Sequence, residues 1–281
     1  MFTLNCKGRL LIIDSPVVMG IINTNPDSFY QGSRYATEQH VLATAEKMLS
    51  DGATILDIGG QSTRPGSVQV SVQEELERVV PAIAAVHQNF PQAFISVDTY
   101  YSQVAKAAVE AGAHIINDIS AGRMDENMLN TVAALKAPYV LMHMQGTQTT
   151  MQQNPQYEDV TREVLDFFIQ QKAMLLGKGI HDIIIDPGYG FGKTIQHNFT
   201  LLKNQAVFKM LGCPILLGIS RKSTIYKTLA TNAENALNGT TVLNTIGLLK
   251  GACILRVHDV KEAVEAVQLA AVCRCVMPAI A

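Results

Sequence analysis

No charge of one sign prevails in this 281-residue chain: 22 Lys and Arg stand against 24 Asp and Glu, and the sequence pI is near 6.4. Such a balance gives no global field that attracts nucleic acid or anionic lipid, so any anion recognition has to be local. The five cysteines, at 6, 213, 253, 273 and 275, form no Cys-x-x-Cys pair, and Cys273-x-Cys275 has the spacing of neither a zinc site nor a disulfide framework. Reduced thiols are the expectation. No apolar run reaches the length of about 18 residues that a membrane helix needs. The opening MFTLNCKGRLLIID also lacks a long apolar stretch followed by a small-residue cleavage site. The chain is therefore expected to be cytoplasmic, with no membrane and no nucleic-acid partner. Two nucleotide signatures fail as well. A Walker loop ending in Gly192-Lys193-Thr194 would need Gly where Pro187 stands, and Gly192 follows Gly188-x-Gly190 too early for the dinucleotide fingerprint.

What the chain does have is 48 % hydrophobic residues, only 16 % charged ones, and a recurring apolar run. Strands are predicted at 17–23, 54–60, 94–99, 114–119, 138–143, 182–186, 214–220 and 253–258, nearly every one ending on a polar side chain. Helix patterns fill the gaps: 37–51, 71–88, 102–111, 126–136, 157–178, 196–210, two pieces within 221–251, and 260–275. Several stop at a glycine just before the next strand, as at Gly52 and Gly251, where a left-handed conformation is needed. Runs this apolar suit parallel strands covered on both faces. The predicted fold class is α/β, a single (β/α)8 TIM barrel in one domain over 1–281, close to the roughly 250 residues usual for such barrels. Residues 3–14 alternate around Lys7-Gly8, predicting an N-terminal β-hairpin that plugs the amino-terminal mouth. The polar loops NTNPDSFYQGSRY, GGQSTRPGS and MQGTQTTMQQNP lie at the carboxyl rim, and the first two are expected to move during turnover.

Strand ends converge in a closed barrel, so residues far apart in sequence meet. One group is acidic and amide-bearing: Asp98, Asn117, Asp118 and Asp186. A carboxylate accepts paired hydrogen bonds from a planar N-C-N edge, so Asp98, Asn117 and Asp186 suit an amino-pyrimidine or guanine-like ring. Asp118 reads rather as a helix cap. A buried carboxylate needs a partner, and Lys222 is the natural one. The other group is basic: Arg64, Arg221, Lys222, Arg256 and His258. Arg256-x-His258 places two side chains on one face of a strand and asks for a phosphate-like anion. His114 and His143 read as packed, hydrogen-bonded histidines. In DPGYGFGKT the glycines let the backbone pass close to a flat ligand, with Phe191 as a stacking surface.

MGIINTNPDSF, DIGGQSTRPG, ISVDT, GAHIINDIS, LMHMQGT, DPGYGFGK, GISRKS and RVHDVKE together resemble the dihydropteroate synthase family, from Val18 to about Val264. The resemblance implies a TIM barrel, usually dimeric. Such an enzyme joins the small-molecule substrates dihydropterin pyrophosphate and p-aminobenzoate, with Mg²⁺, in folate synthesis. Carried over, Asp98, Asn117, Asp186 and Lys222 resemble the pterin-binding set, Asn23 the Mg²⁺ ligand, and Thr63, Arg256 and His258 the pyrophosphate clamp. Arg64, Pro65, Phe191, Ser220 and Arg221 resemble the p-aminobenzoate wall, and Arg256, His258 and Lys222 are the residues expected to carry the catalysis. Three positions depart from the family pattern. Gln31 and Gln61 stand where acids are usual, which weakens any metal contact there because hard cations prefer charged oxygen. Asn25 replaces a usual Thr, and nothing physical explains it. Two other readings share the ring reader: a pterin-dependent methyltransferase domain, which leaves STRPG, SRKS and RVHDV unexplained, and a non-catalytic pterin-binding protein, to which the two glutamines lend weight.

Overall fold

A computed structural model of the chain describes residues 1–24, 34–61, 69–147, 150–151 and 154–276. Two antiparallel strands, β1 (Phe2–Cys6) and β2 (Arg9–Ile13), precede eight parallel ones: β3 (Val17–Asn23), β4 (Ile55–Gly59), β5 (Phe94–Asp98), β6 (Ile115–Asp118), β7 (Tyr139–Met142), β8 (Ile183–Asp186), β9 (Leu216–Leu217) and β10 (Ile254–Val257). The eight hydrogen-bond in the order β8-β7-β6-β5-β4-β3-β10-β9. A parallel bridge between Ile185 and Ile215, with Ile185 N donating to Pro214 O at 3.0 Å, joins the two ends and closes the barrel.

Between the strands run α1 (Arg34–Ser50), α2 (Val72–Asn89), α3 (Ser102–Glu110), α4 (Met128–Leu135), α5 (Val160–Gly177), α6 (Ile195–Asn204), α7 (Ser223–Thr228), α8 (Leu237–Leu249) and α9 (Val260–Val276). The barrel reading of the sequence holds, with differences at the edges. The expected strand 214–220 contracts to Leu216–Leu217. Pro214 brings no N–H to a ladder, and Ile219 O turns to accept from Lys222 N. The expected helix 157–178 starts only at Val160, where Asp159 accepts from the N–H groups of Thr161 and Arg162. The expected helix 196–210 splits into α6 and a 3-10 turn over Gln205–Leu211.

Period-2 alternation gives each barrel strand one inward residue near the amino-terminal mouth: Met19, Ile55, Phe94, Ile115, Val140, Ile184, Leu216 and Ile254. These form one buried cluster with Leu4, Cys6, Leu11 and Ile13 of the hairpin. The hairpin therefore stoppers the barrel, as its alternation predicts. Its turn is tight because Lys7 and Gly8 both take positive φ, 57° and 89°, and Gly8 N donates to Asn5 Oδ1 at 2.7 Å. Arg9 stacks over Phe94, 3.9 Å from the ring centroid. The outward residues, Val18, Leu56, Ile58, Ile95 and Val97 among them, pack under the helices in a second, larger cluster.

Leu11 is 2 % exposed and its neighbour Leu10 is 57 % exposed. Leu11→Ala should lower unfolding stability by about 2–5 kcal/mol and Leu10→Ala by less than about 0.5 kcal/mol, as read by urea denaturation. Equal small losses would mean that the hairpin does not stopper the barrel.

Candidate active site

One step above the apolar stopper the inward row turns polar. Asp57 in β4, Ser96 and Asp98 in β5, Asn117 in β6 and Asp186 in β8 are all buried, and Arg256 of β10 reaches across them. Arg256 Nε donates to Asp57 Oδ2 at 2.6 Å and Nη2 donates to Asp98 Oδ2 at 2.5 Å, while Asn117 Nδ2 donates to the same Asp57 oxygen at 3.0 Å. Asp57 Oδ1 is buried with no hydrogen-bond partner. An acceptor left over in this way costs about 1–3 kcal/mol unless a donor fills it. Burial pushes the Asp98 carboxyl up to about 7, with Arg256 pulling it down and the charge of Asp57 raising it further. Arg256 stays protonated: burial alone would lower its pKa, but Asp57 and Asp98 outweigh that and raise it.

This geometry corrects one expectation in part. Asp98 is ion-paired with Arg256, whereas Lys222 is the carboxylate partner expected of it at Asp186. Lys222, the N-cap of α7, donates from Nζ to Tyr189 O and lies 4.4 Å from the centroid of the Phe191 ring. Burial brings its pKa down to about 8 against the pull of Asp186. Asp186 is shifted upward, also by burial, with Lys222 and the Gly188 N–H opposing; Gly188 N donates to Asp186 Oδ1 at 2.7 Å. Arg256, expected in the anion clamp, thus shares one cluster with the carboxylates expected to read the ring.

Around its rim, Ser220 Oγ and His258 Nδ1 are 3.0 Å apart, and His258 N donates to Ser220 Oγ at 3.3 Å. Arg221 is engaged on all three guanidinium nitrogens: Nε and Nη2 on the two oxygens of Asp259, each at 2.8 Å, and Nη1 on the carbonyls of Ala233 and Glu234. Asn23 ends β3 with an exposed side chain. Thr63, Arg64 and Pro65 lie outside the described residues, as do Gln31 and Asn25 and most of the first two rim loops. Gln61 is described, and it is no surface ligand: it is buried, and its Oε1 accepts from Val70 N at 2.9 Å and Tyr100 Oη at 3.0 Å. An amide oxygen performs that work as well as a carboxylate and adds no buried charge.

Other polar groups have local duties. Asp118 accepts from Ser120 N, Gly122 N and Tyr139 Oη, each at 2.7 Å, and so braces its own loop. His114 Nδ1 accepts from Ile95 N at 3.1 Å beside Phe94, and His143 packs against Phe167. Asp57 and Lys193 were not singled out from the sequence. Asp57 had a signal: it shares inward parity with Ile55 and Gly59 in a five-residue strand. Lys193 had none beyond its place in a glycine-rich turn.

Glu75, in the first turn of α2, is fully buried against Gly60. Burial raises its carboxyl from 4.5 to about 7, with Thr99 and Arg78 opposing and Asp98 adding to the rise. The unfolded chain releases this proton near pH 4.5 and the folded one only near 7, so the group's stabilising contribution is complete below pH 4.5 and is lost as pH climbs through 7. Glu75→Gln should therefore match the parent protein near pH 4.5 and exceed it by up to about 3 kcal/mol at pH 8 in urea denaturation. A gain independent of pH would contradict the assignment.

Against known proteins, residues 19–258 match the family model described as pterin binding enzyme. The chain is 43 % identical to the dihydropteroate synthase of Escherichia coli (strain K12) over 265 residues, 94 % of this chain and 93 % of that one. It is 44 % identical to the Haemophilus influenzae enzyme over 259 residues, covering 92 % and 94 %. A crystal structure of Yersinia pestis dihydropteroate synthase in a sulfonamide drug complex superposes with a TM-score of 0.92 at 40 % identity, covering 98 % of this chain and all of that one. The Xanthomonas albilineans enzyme in complex with 7,8-dihydropteroate gives 0.88 at 37 % identity, again over 98 % of this chain and all of the other. With the barrel, the motif order and these likenesses in agreement, the chain belongs to the dihydropteroate synthase family of pterin-binding enzymes.

Proposed function

We propose that this protein condenses 7,8-dihydropterin-6-ylmethyl pyrophosphate with p-aminobenzoate, giving 7,8-dihydropteroate and pyrophosphate, in folate biosynthesis. The observation that carries the reading is the buried Asp57–Arg256–Asp98 bridge, with an unfilled acceptor on Asp57 and with Asn117 and Asp186 at the same level. A flat ring edge rich in N–H groups supplies the donors that such a layer lacks, and Asp98, Asn117, Asp186 and Lys222 are the groups placed to read it.

In the reaction the bond between the methylene carbon and the pyrophosphate oxygen breaks, and its electron pair leaves with the pyrophosphate. The amine nitrogen of p-aminobenzoate then bonds to that carbon and gives up a proton to solvent. The electron-rich pterin stabilises the positive carbon, so departure runs ahead of attack and no strong base is needed. Arg256 and His258, with Thr63 by motif, take up the growing negative charge on the leaving group. Asp98 and Asp186 favour the ring as it becomes positive. Phe191 and Ser220, with Arg64 and Pro65 by motif, wall the p-aminobenzoate. The guanidinium of Arg221 is tied to Asp259, so Arg221 contributes to that wall through its backbone and its anchoring of the segment before α7. Holding both substrates in one pocket removes roughly 7–11 kcal/mol of barrier, which suits a weak aromatic amine nucleophile.

The residues fit a Mg²⁺ ion shared with substrate. Among the described residues no three His, Cys, Asp or Glu side chains gather to hold a metal alone, whereas Asn23 offers one rim oxygen. Mg²⁺ typically takes one or two protein ligands and completes its shell with phosphate oxygens and water. When bound it would neutralise charge on the departing pyrophosphate. The reading extends to a cytoplasmic homodimer. No helix among the described residues is long and apolar enough to cross a membrane, and α8 and α9, packed together, expose Val242, Ile246, Leu249, Leu269 and Val272.

Pyrophosphate release from the dihydropterin substrate should require both p-aminobenzoate and Mg²⁺, and sulfamethoxazole should compete with p-aminobenzoate. Arg256→Ala should lower turnover by about 100-fold or more. Because Arg256 is also the counter-ion of two buried carboxylates, the variant should weaken dihydropterin binding as well. Turnover equal to the parent protein would refute the assigned role.

A further inference from the structure

The turn between β8 and α6 holds a charged group that the reaction above leaves unused. Lys193 is 3 % exposed. Its Nζ lies 2.9 Å from His143 Nδ1, 3.0 Å from Phe191 O, 3.1 Å from Gly188 O and 3.3 Å from His143 O. An ammonium has three donors and nothing to accept with, so these acceptors surround it. Between these two carbonyls, Tyr189 O accepts instead from Lys222 Nζ. Successive parts of one turn are thus gripped by two lysines, one of which reads the ligand.

The turn has little slack. Gly188 and Gly192 take φ of +70° and +62°, and a Cβ on them would fall 1.9 Å from His143 O and 2.4 Å from Gln145 O. The backbone is therefore pressed onto the end of β7, and the Lys193 ammonium sits at the seam. Losing it would leave buried carbonyls without donors and let the turn relax.

We propose that Lys193 is a positioning residue of the reaction: its ammonium fixes the Gly188 and Phe191 carbonyls, and through this turn it sets where the Phe191 ring and Tyr189 O hold Lys222 against the pterin. The inference rests on reading this site as a pterin pocket. The charged and titratable groups facing Lys193 are Asp186 of β8, His143 after β7, Arg123 between β6 and α4, His197 of α6 and Lys222 at the start of α7. Burial brings Lys193 down to about 7, with Asp186 opposing and Lys222 and Arg123 adding to the fall. Lys222 helps to hold Lys193 down, so Lys193 gives up its proton first, near 7, and Lys222 near 8.

The test is calorimetric binding of the dihydropterin pyrophosphate, without p-aminobenzoate, to the parent protein and to Lys193→Met between pH 6 and 9.5. Binding to the variant should be about tenfold weaker at pH 6, and the fall in parent affinity as pH rises through about 7, where Lys193 gives up its proton, should be absent from the variant. Weakening by the same factor at every pH is what a merely structural lysine gives and would overturn the proposal. So would unchanged binding. A parent protein that binds no pterin at all would instead strike the functional reading. Should the Met variant fail to fold, the parent protein decides: pterin binding should slow hydrogen exchange of the Lys193 ammonium by about tenfold in nitrogen-detected NMR, by reciprocity of the coupling. Unchanged exchange would overturn the proposal equally.

Discussion

A guanidinium shared by two carboxylates inside the barrel is the constraint on which the site depends. Asp57 and Asp98 sit on adjacent strands, and each buried charge would cost several kcal/mol, roughly, if left alone. Arg256 makes their burial tolerable, yet one guanidinium cannot neutralise two carboxylates. Asp98 answers by holding its proton to about 7, so the cluster carries close to one negative charge or none around neutrality. Such an arrangement is weakly satisfied by itself, because Asp57 Oδ1 remains an acceptor without a donor. It is a layer built to be completed from outside.

The stopper below makes that layer effective. Eight inward apolar side chains, one from each barrel strand, and four from the hairpin fill the amino-terminal mouth. The stopper covers the amino-terminal side of the polar row, and charges held in a poorly solvated interior interact more strongly than they would in water. The same period of two that sends Ile55 into the stopper sends Asp57 into the site, so one alternation in one strand builds both floors.

The barrel was legible because its signals are local: apolar runs, helix-ending glycines, and a turn at Lys7-Gly8. The site was legible in part. Asp98 and Asp186, which close buried strands, and Asn117 and Arg256, one place before a strand's end, announce themselves, since a polar residue there lies near the rim. Asp57 did not, because it lies mid-strand, where attention to termini misses it and only parity reveals it. Partnership was the harder matter. Arg256 pairs with Asp57 across 199 positions, and nothing in the spacing of residues tells that Arg256 rather than Lys222 would face Asp98. Gln61 shows the reverse error. Its motif context suggested a weakened metal contact, whereas its burial and its two donors, Val70 N and Tyr100 Oη, give it a bracing role that an acid is not required to fill.

Arg256 has two claims on it, and their competition links the two ends of the pterin substrate. As the anion clamp it would turn toward the pyrophosphate; as a counter-ion it holds Asp57 and Asp98. Any share of its charge given to the phosphate tail raises the proton affinity of Asp98 and sharpens the need of both carboxylates for donors. A ring with N–H groups at that level supplies them. With Arg256 in that double role, tail and ring would favour one another's binding, because each would relieve a demand that the other creates at the same guanidinium. Once the bond broke and pyrophosphate left, Arg256 would return to its carboxylates, the demand for ring donors would fall, and the product's hold would weaken. One buried cation can in this way bind the substrate through both its parts and loosen the grip once they are severed.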